Sequence, residues 1–133
     1  DTKAALGDTM LGVSVFGISA SRPEPTAQDI ALLGPVVDYV SPMVYPALWT
    51  AGEYGVPDPF NMPYEIVSAS LADFQRSLAG TGAAMVPWLQ DFSGYGAPQV
   101  QAQVDAARAN GSAGFLLWNP TSVYTPDGII PPG

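Results

Sequence analysis

A chain of 133 residues suits one domain with one core. Its net charge is −8, and Lys3, Arg22, Arg76 and Arg108 are too few and too scattered to form a basic patch, so nucleic acid and anionic membrane surfaces are not expected partners. The absence of cysteine and histidine excludes disulfides, thiolate catalysis, Ser-His-Asp triads and histidine-ligated zinc.

Acid–base chemistry is therefore left to Asp, Glu, Tyr or Lys. No cofactor is expected; a carboxylate-only cation site is the one metal site the composition leaves open. Charged residues make up only 12%, about half the usual share, which points to surfaces covered in the native molecule by further chain or by a partner. No run of about 18 apolar residues occurs, so no transmembrane helix is expected.

Strand-like and helix-like segments alternate along the chain. The first strand candidate is Met10 to Ile18. A helix capped by Thr26, with Asp29 at its third position, should run through Leu33 and stop at Gly34-Pro35. The second strand candidate is Val36 to Tyr45. Between Pro46 and Ser68 lie roughly twenty residues without helical or strand periodicity, a length that is usually functional or disordered. This loop follows a strand, so it belongs at the carboxyl end of the sheet, where α/β folds bind ligands. Its Trp49, Tyr54, Phe60 and Tyr64 are too aromatic for simple disorder.

Ser70 and Asp73 form a second capping-box pattern, with Leu71, Phe74 and Leu78 on one face and Gly80 as terminator. The third strand candidate is Ala84 to Leu89. A third helix should begin near Pro98, with Val100, Val104 and Ala107 inward, and end at Gly111. The fourth strand candidate is Gly114 to Trp118, and residues 125–133 read as a turn and an exit linker. The strands are short, apolar and nearly continuous in hydrophobicity, as strands buried on both faces are in parallel sheets. The order β-α-β-loop-α-β-α-β thus predicts right-handed parallel βαβ units in an α/β fold.

Several motifs carry a resemblance. They are VDYVSPMVYP at Val37–Pro46, PWLQDF at Pro87–Phe92, LLWN at Leu116–Asn119, SVFG at Ser14–Gly17, and the Pro63-Tyr64 pair. In this order and spacing the chain resembles a glycoside hydrolase-like family of TIM-barrel domains of unknown function, over about Leu11 to Tyr124. The resemblance implies that the segments are strands five to eight of the barrel, so residues 1–124 are its C-terminal half. It implies that four strands precede Asp1, since a full barrel needs about 250 residues. It also suits an extracellular or cell-envelope location. At Ser14 the family tends to carry Asp.

Glycoside hydrolysis normally needs two carboxyl groups flanking the scissile bond. Asp91, just past the third strand candidate, is the first choice for one of them. Its alternative role is an Asx cap on the following turn. Tyr45 shares a face with Met43 by alternation and offers a hydroxyl as donor, or else is a core tyrosine. Trp88 and Trp118 are sugar-stacking candidates, or barrel filling. Trp49 and Tyr64 in the long loop, and Gln90 and Asn119 beside the strands, complete the candidate substrate-binding set. Glu53 and Asp58 in the long loop could either one reach a substrate as the second carboxylate, or else are solvated loop charges; Asp38 reads as structural, and Asp29, Asp73 and Asp105 as caps or surface charges.

The expected partners are a carbohydrate substrate and either the missing N-terminal half of the barrel or a second copy of the chain, covering the open edges at the first and fourth strands. The rival function is a carbohydrate-binding module without catalysis.

Overall fold

The computed structural model describes residues 1–129; residues 130–133, the end of the expected linker, lie outside the described residues. The chain folds as an α/β unit on a parallel sheet, consistent with part of a barrel. In chain order the elements are α1 (Thr2–Leu6), β1 (Gly12–Phe16), α2 (Ile30–Leu33), β2 (Tyr39–Met43), α3 (Pro63–Leu78), β3 (Ala84–Met85), β4 (Trp88–Gln90), α4 (Ala97–Ala109) and β5 (Leu116–Trp118).

The strands lie in chain order, β1-β2-β4-β5, with β3 also paired to β2, and every pairing is parallel. The third strand candidate is thus divided into two short strands. Tyr39 faces Ala84, Val40 faces Met85 and Met43 faces Trp88, so β3 and β4 keep one register along β2. The division falls at Val86-Pro87, where proline has no N–H to give the ladder. The other strands are shorter at their ends than their apolar runs.

Alternation sorts the side chains onto two faces. Val13 and Val15, Val40 and Val44, Met85, Leu89, Phe115 and Leu117 point one way, into a core completed by the helices. Ser14 and Phe16, Met43, Trp88, Leu116 and Trp118 point the other way, and no described helix covers them. Phe16 is 53% exposed and Trp118 45%, against 0% for Val15 and Leu89.

Helix α3 corrects the expected start at Ser70. Pro63 sits in its first turn, Glu65 follows where the macrodipole favours an acid, and Arg76 lies in the last turn. Ile66, Val67, Leu71, Phe74 and Leu78 are buried along one stripe. Each such burial contributes about 1.5–3 kcal/mol before entropy is counted. Ser70 is no cap: mid-helix and fully buried, it donates its hydroxyl to the Gly17 carbonyl at 3.0 Å and fastens α3 to the turn after β1.

The expected long loop is correspondingly shorter. It ends at Met62 and carries 3₁₀ turns at Pro46–Leu48 and Glu53–Gly55. The first predicted helix also shrinks. Asp29, not Thr26, caps it, accepting from the Ala31 and Leu32 amides at 3.0 and 3.3 Å. Thr26 instead bonds the Pro23 carbonyl in a preceding turn. Gly34-Pro35 does not stop the chain at once but carries it through a 3₁₀ turn, Gly34–Val36.

Helix α4 begins at Ala97, close to the expected Pro98, and Gly111 follows it with φ 73°, a conformation that favours glycine. Helix α1 was not expected. It buries no residue and is held by the Asp1 cap and by a Lys3–Asp38 ion pair. Beyond β5, Gly128 packs against Val100 of α4, where a Cβ would meet the valine at 2.6 Å. The described part of the 125–133 segment therefore lies on the domain.

Candidate functional site

The bare face of the sheet holds a cleft of about 390 Å³ lined by Ser14, Met43, Tyr45, Trp88 and Trp118. Four strand lines contribute to it, because Met43 faces Trp88 and Gln90 faces Trp118 in the ladder. Trp88 and Trp118 meet edge to face, with centroids 6.3 Å apart and planes at 90°. The Trp88 indole N–H donates to the Ser14 hydroxyl at 3.0 Å. That bond fixes the ring plane and crosses two strand boundaries, so only the folded register reveals it.

Tyr45 is buried beside this cleft, its ring edge-on to Phe92 at 5.5 Å. Burial pushes its phenol up to about 12. The same cause pushes Tyr54 up to about 12 and Tyr95 further up. A raised folded pKa favours the neutral phenol, so this stabilisation is complete below the unfolded value near 10 and is lost as pH rises through 12. Melting temperatures should accordingly fall between pH 10 and 12. Replacing Tyr45 by Phe should flatten part of that decline, and an unchanged decline would remove Tyr45 from it.

Phe92 was not anticipated from the sequence. It touches Tyr45 on one side and helps line a second cavity, of about 400 Å³, with Asp91, Tyr95, Asn119 and Val123. Asp91 is 2% exposed. Its carboxylate accepts from the Thr125 amide at 2.6 Å and from the Thr125 hydroxyl at 2.8 Å. It follows Leu89 in alternation and so leaves the sheet on the helix-covered side, at the carboxyl end of β4.

Asn119 is committed to its own loop. Its oxygen accepts from the Thr121 amide and hydroxyl, both at 2.8 Å, and its amide donates to the Asp91 and Val123 carbonyls. Gln90 is fully buried. Its oxygen accepts from the Ala47 amide at 2.9 Å and its amide reaches the Phe92 carbonyl at 3.2 Å, tying the turn after β2 to the turn after β4.

Trp49 lies apart from the tryptophan pair. It packs edge-on to Tyr54 at 5.5 Å and lines a third cavity, of about 220 Å³, with Phe16, Gly17, Ile18, Met43 and Leu48. Met43 borders this cavity and the central cleft alike. Tyr64 is exposed on the first turn of α3 and borders none of these three cavities.

The chain approaches closely at Gly17, where a Cβ would stand 2.5 Å from the Met43 carbonyl and 3.2 Å from Trp49 Cζ2. Gly17→Ala should therefore cost about 1–3 kcal/mol, because a backbone carbonyl cannot swing aside. An unaltered urea midpoint would show that this approach is relaxed in solution.

Four further acids have partners within the fold. Glu53 pairs with Arg22 at 2.9 Å. Asp58 accepts from the Asn61 amide and side chain, bonds that hold its carboxyl below the usual range. Asp38 sits at the amino end of β2, and Lys3 and the Leu11 amide lower its pKa. Asp73 accepts from the Tyr54 hydroxyl and from Arg76. Among the described residues no three acidic side chains converge on a cation site, and no helix is long and apolar enough to cross a membrane.

A family described as “Putative glycosyl hydrolase domain” matches residues 2–124. The chain belongs to that family. The matched span contains every residue lining the central cleft and the Trp49 cavity. It stops one residue short of Thr125, the partner of Asp91. No curated protein and no solved structure matches the chain.

Proposed function

We propose that this chain is the C-terminal half, strands five to eight, of a (β/α)₈ barrel that hydrolyses a polysaccharide or oligosaccharide. The observation that carries the reading is the aromatic cleft at the carboxyl end of a sheet left bare on that face, in a chain of a glycosyl hydrolase family. Strands in chain order with their helices on one side suit a segment of a barrel wall, whose other side would be the interior. Ser41 agrees with this. It alternates onto the bare face, and its buried hydroxyl has no hydrogen-bond partner among the described residues. A closed barrel would bring one from across the interior.

In this reading Trp88 and Trp118 stack on sugar C–H faces, and Tyr45 donates its hydroxyl to the substrate. Gln90 and Asn119 hold the rim, while Trp49 and Tyr64 extend the binding surface. Asp91 lines the neighbouring cavity and not the tryptophan cleft, and its carboxylate is held by Thr125. It would have to be released by that segment to supply one carboxylate, and the completing half would supply the other. A second copy of the chain is the rival cover for the bare face, and would show as concentration-dependent dimerisation.

The test uses the full-length protein that contains this chain, a panel of soluble polysaccharides, and release of reducing ends. Trp118→Ala should weaken binding of the responsive glycan by about tenfold or more, as loss of an aromatic anchor does. Absence of any glycan binding by the parent protein would overturn the proposal.

A second reading, glycan binding without catalysis, draws on Ser14. The family resemblance implies Asp at that position, and the serine hydroxyl that stands there accepts from Trp88. It predicts binding that depends on Trp118 with no product released from any glycan of the panel.

A further inference from the structure

We infer that Ser14 is a positioning residue of the tryptophan cleft: by accepting the Trp88 indole N–H it holds that ring along the sheet as the floor on which a sugar lies, with Trp118 as the wall. This rests on the glycan reading above, with or without catalysis, and adds to it the residue that sets the shape of the binding corner.

The ladder sets the distances. Trp88 stands in one row with Met43 and Phe16, whereas Ser14 stands in the row of Ser41, two residues nearer the amino end. Strand β2 lies between β1 and β4. Two strand spacings of about 4.8 Å and a step of about 6.6 Å along the strand therefore part the two backbones. The indole N–H nonetheless reaches the Ser14 hydroxyl at 3.0 Å. A ring standing upright on the sheet would fall well short of it. Trp88 is thus laid across β2 toward β1.

The bond decides the plane of the ring. The torsion that turns an indole on its stem is broad, with no narrow well to hold one orientation. The indole has a single donor and no acceptor, so this one bond uses all of its hydrogen-bonding capacity. The contact is also exposed, so water could serve either group and folding gains little from it. What the bond contributes is orientation.

That orientation has a consequence for a ligand. Trp88 and Trp118 stand at 90° with centroids 6.3 Å apart, which makes a corner and not a pair of parallel jaws. A pyranose laid flat on Trp88 places its C–H face on the negative face of the ring and its edge against Trp118. Turning Trp88 off Ser14 removes the floor and leaves Trp118 alone.

The experiment uses the full-length protein and the responsive glycan of the panel. In the free protein, nuclear magnetic resonance follows the Trp88 indole N–H cross-peak, assigned by its absence in Trp88→Phe. In Ser14→Ala that peak should shift and exchange faster with solvent. By calorimetry the same variant should bind the glycan about threefold to tenfold more weakly, the worth of one hydrogen bond. Ser14→Thr, which keeps the hydroxyl, should recover most of both signals. Trp88→Phe has a ring without an N–H, so adding Ser14→Ala to it should weaken binding no further. An unmoved cross-peak or an unchanged affinity in Ser14→Ala would overturn the positioning role and leave the glycan reading standing. Equal weakening by Ser14→Ala on both backgrounds would do the same and make Ser14 a direct contact. No binding of any glycan by the parent would overturn both.

Discussion

Asp91→Asn in the full-length protein should lower turnover by about 10²–10⁴-fold, the range expected when a positioned proton-transfer group is lost. The fold should survive it. The Thr125 amide can still donate to the asparagine oxygen, and the Thr125 hydroxyl can rotate to accept from the asparagine amide, so both contacts of 2.6 and 2.8 Å have a successor. The loss of stability should be about 1 kcal/mol, one charge-assisted bond exchanged for a neutral one. A large fall in kcat with an almost unmoved melting temperature therefore reports chemistry. Unchanged turnover would instead confine Asp91 to fastening the Thr125 segment, the capping role also read from its place after the strand.

Gln103→Leu should destabilise the fold by about 2–6 kcal/mol, since it strands two buried backbone groups at about 1–3 kcal/mol each. Gln103 is fully buried on α4, and its side chain accepts from the Gln90 amide at 2.8 Å and donates to the Gln90 carbonyl at 2.7 Å. The opposite edge of the same strand is served by β5, which receives the Asp91 amide. On the β2 side the last ladder bond runs from the Val44 amide to the Trp88 carbonyl at 3.2 Å, and beyond it the glutamine amide takes the partner strand's place. Leucine fills similar volume but offers neither donor nor acceptor. Since a domain of this kind holds about 5–15 kcal/mol in all, the loss is a large share of it. Gln101→Leu on the same helix, which breaks only a partly exposed bond to Asp105, should stay within about 0.5 kcal/mol. Equal urea midpoints for the two variants would sink the argument.

The strand positions were legible because each is a short apolar run, and a parallel sheet covered by helices demands such runs. Pairing order followed from the alternation with helices. The start of α3 was not legible. Pro63-Tyr64-Glu65 reads equally as loop, and Ser70 with Asp73 imitates a helix start, although the Ser70 hydroxyl is spent on Gly17 across the fold. Helix α1 left no periodic signal because it buries nothing. At the cleft, alternation paired Tyr45 with Met43, whereas the meeting of Trp88 and Trp118 on that face came from the folded register. The Ser14 bond to Trp88, the Phe92 ring against Tyr45 and the Thr125 clasp on Asp91 depend on registers and loop paths that no local pattern encodes. Tyr64 was grouped with the loop aromatics, but the longer helix carries it away from the cavities.

The Asp38 carboxylate joins Lys3 and the Leu11 amide at the amino end of β2, whereas the cavities open around the carboxyl ends of the strands. Anchorage and recognition thus occupy opposite poles of the same strands. A lineage of such chains can exchange rim side chains to suit new ligands without touching the clamp that seats its first helix. It can also harden or loosen that clamp to suit a new temperature without altering what it binds.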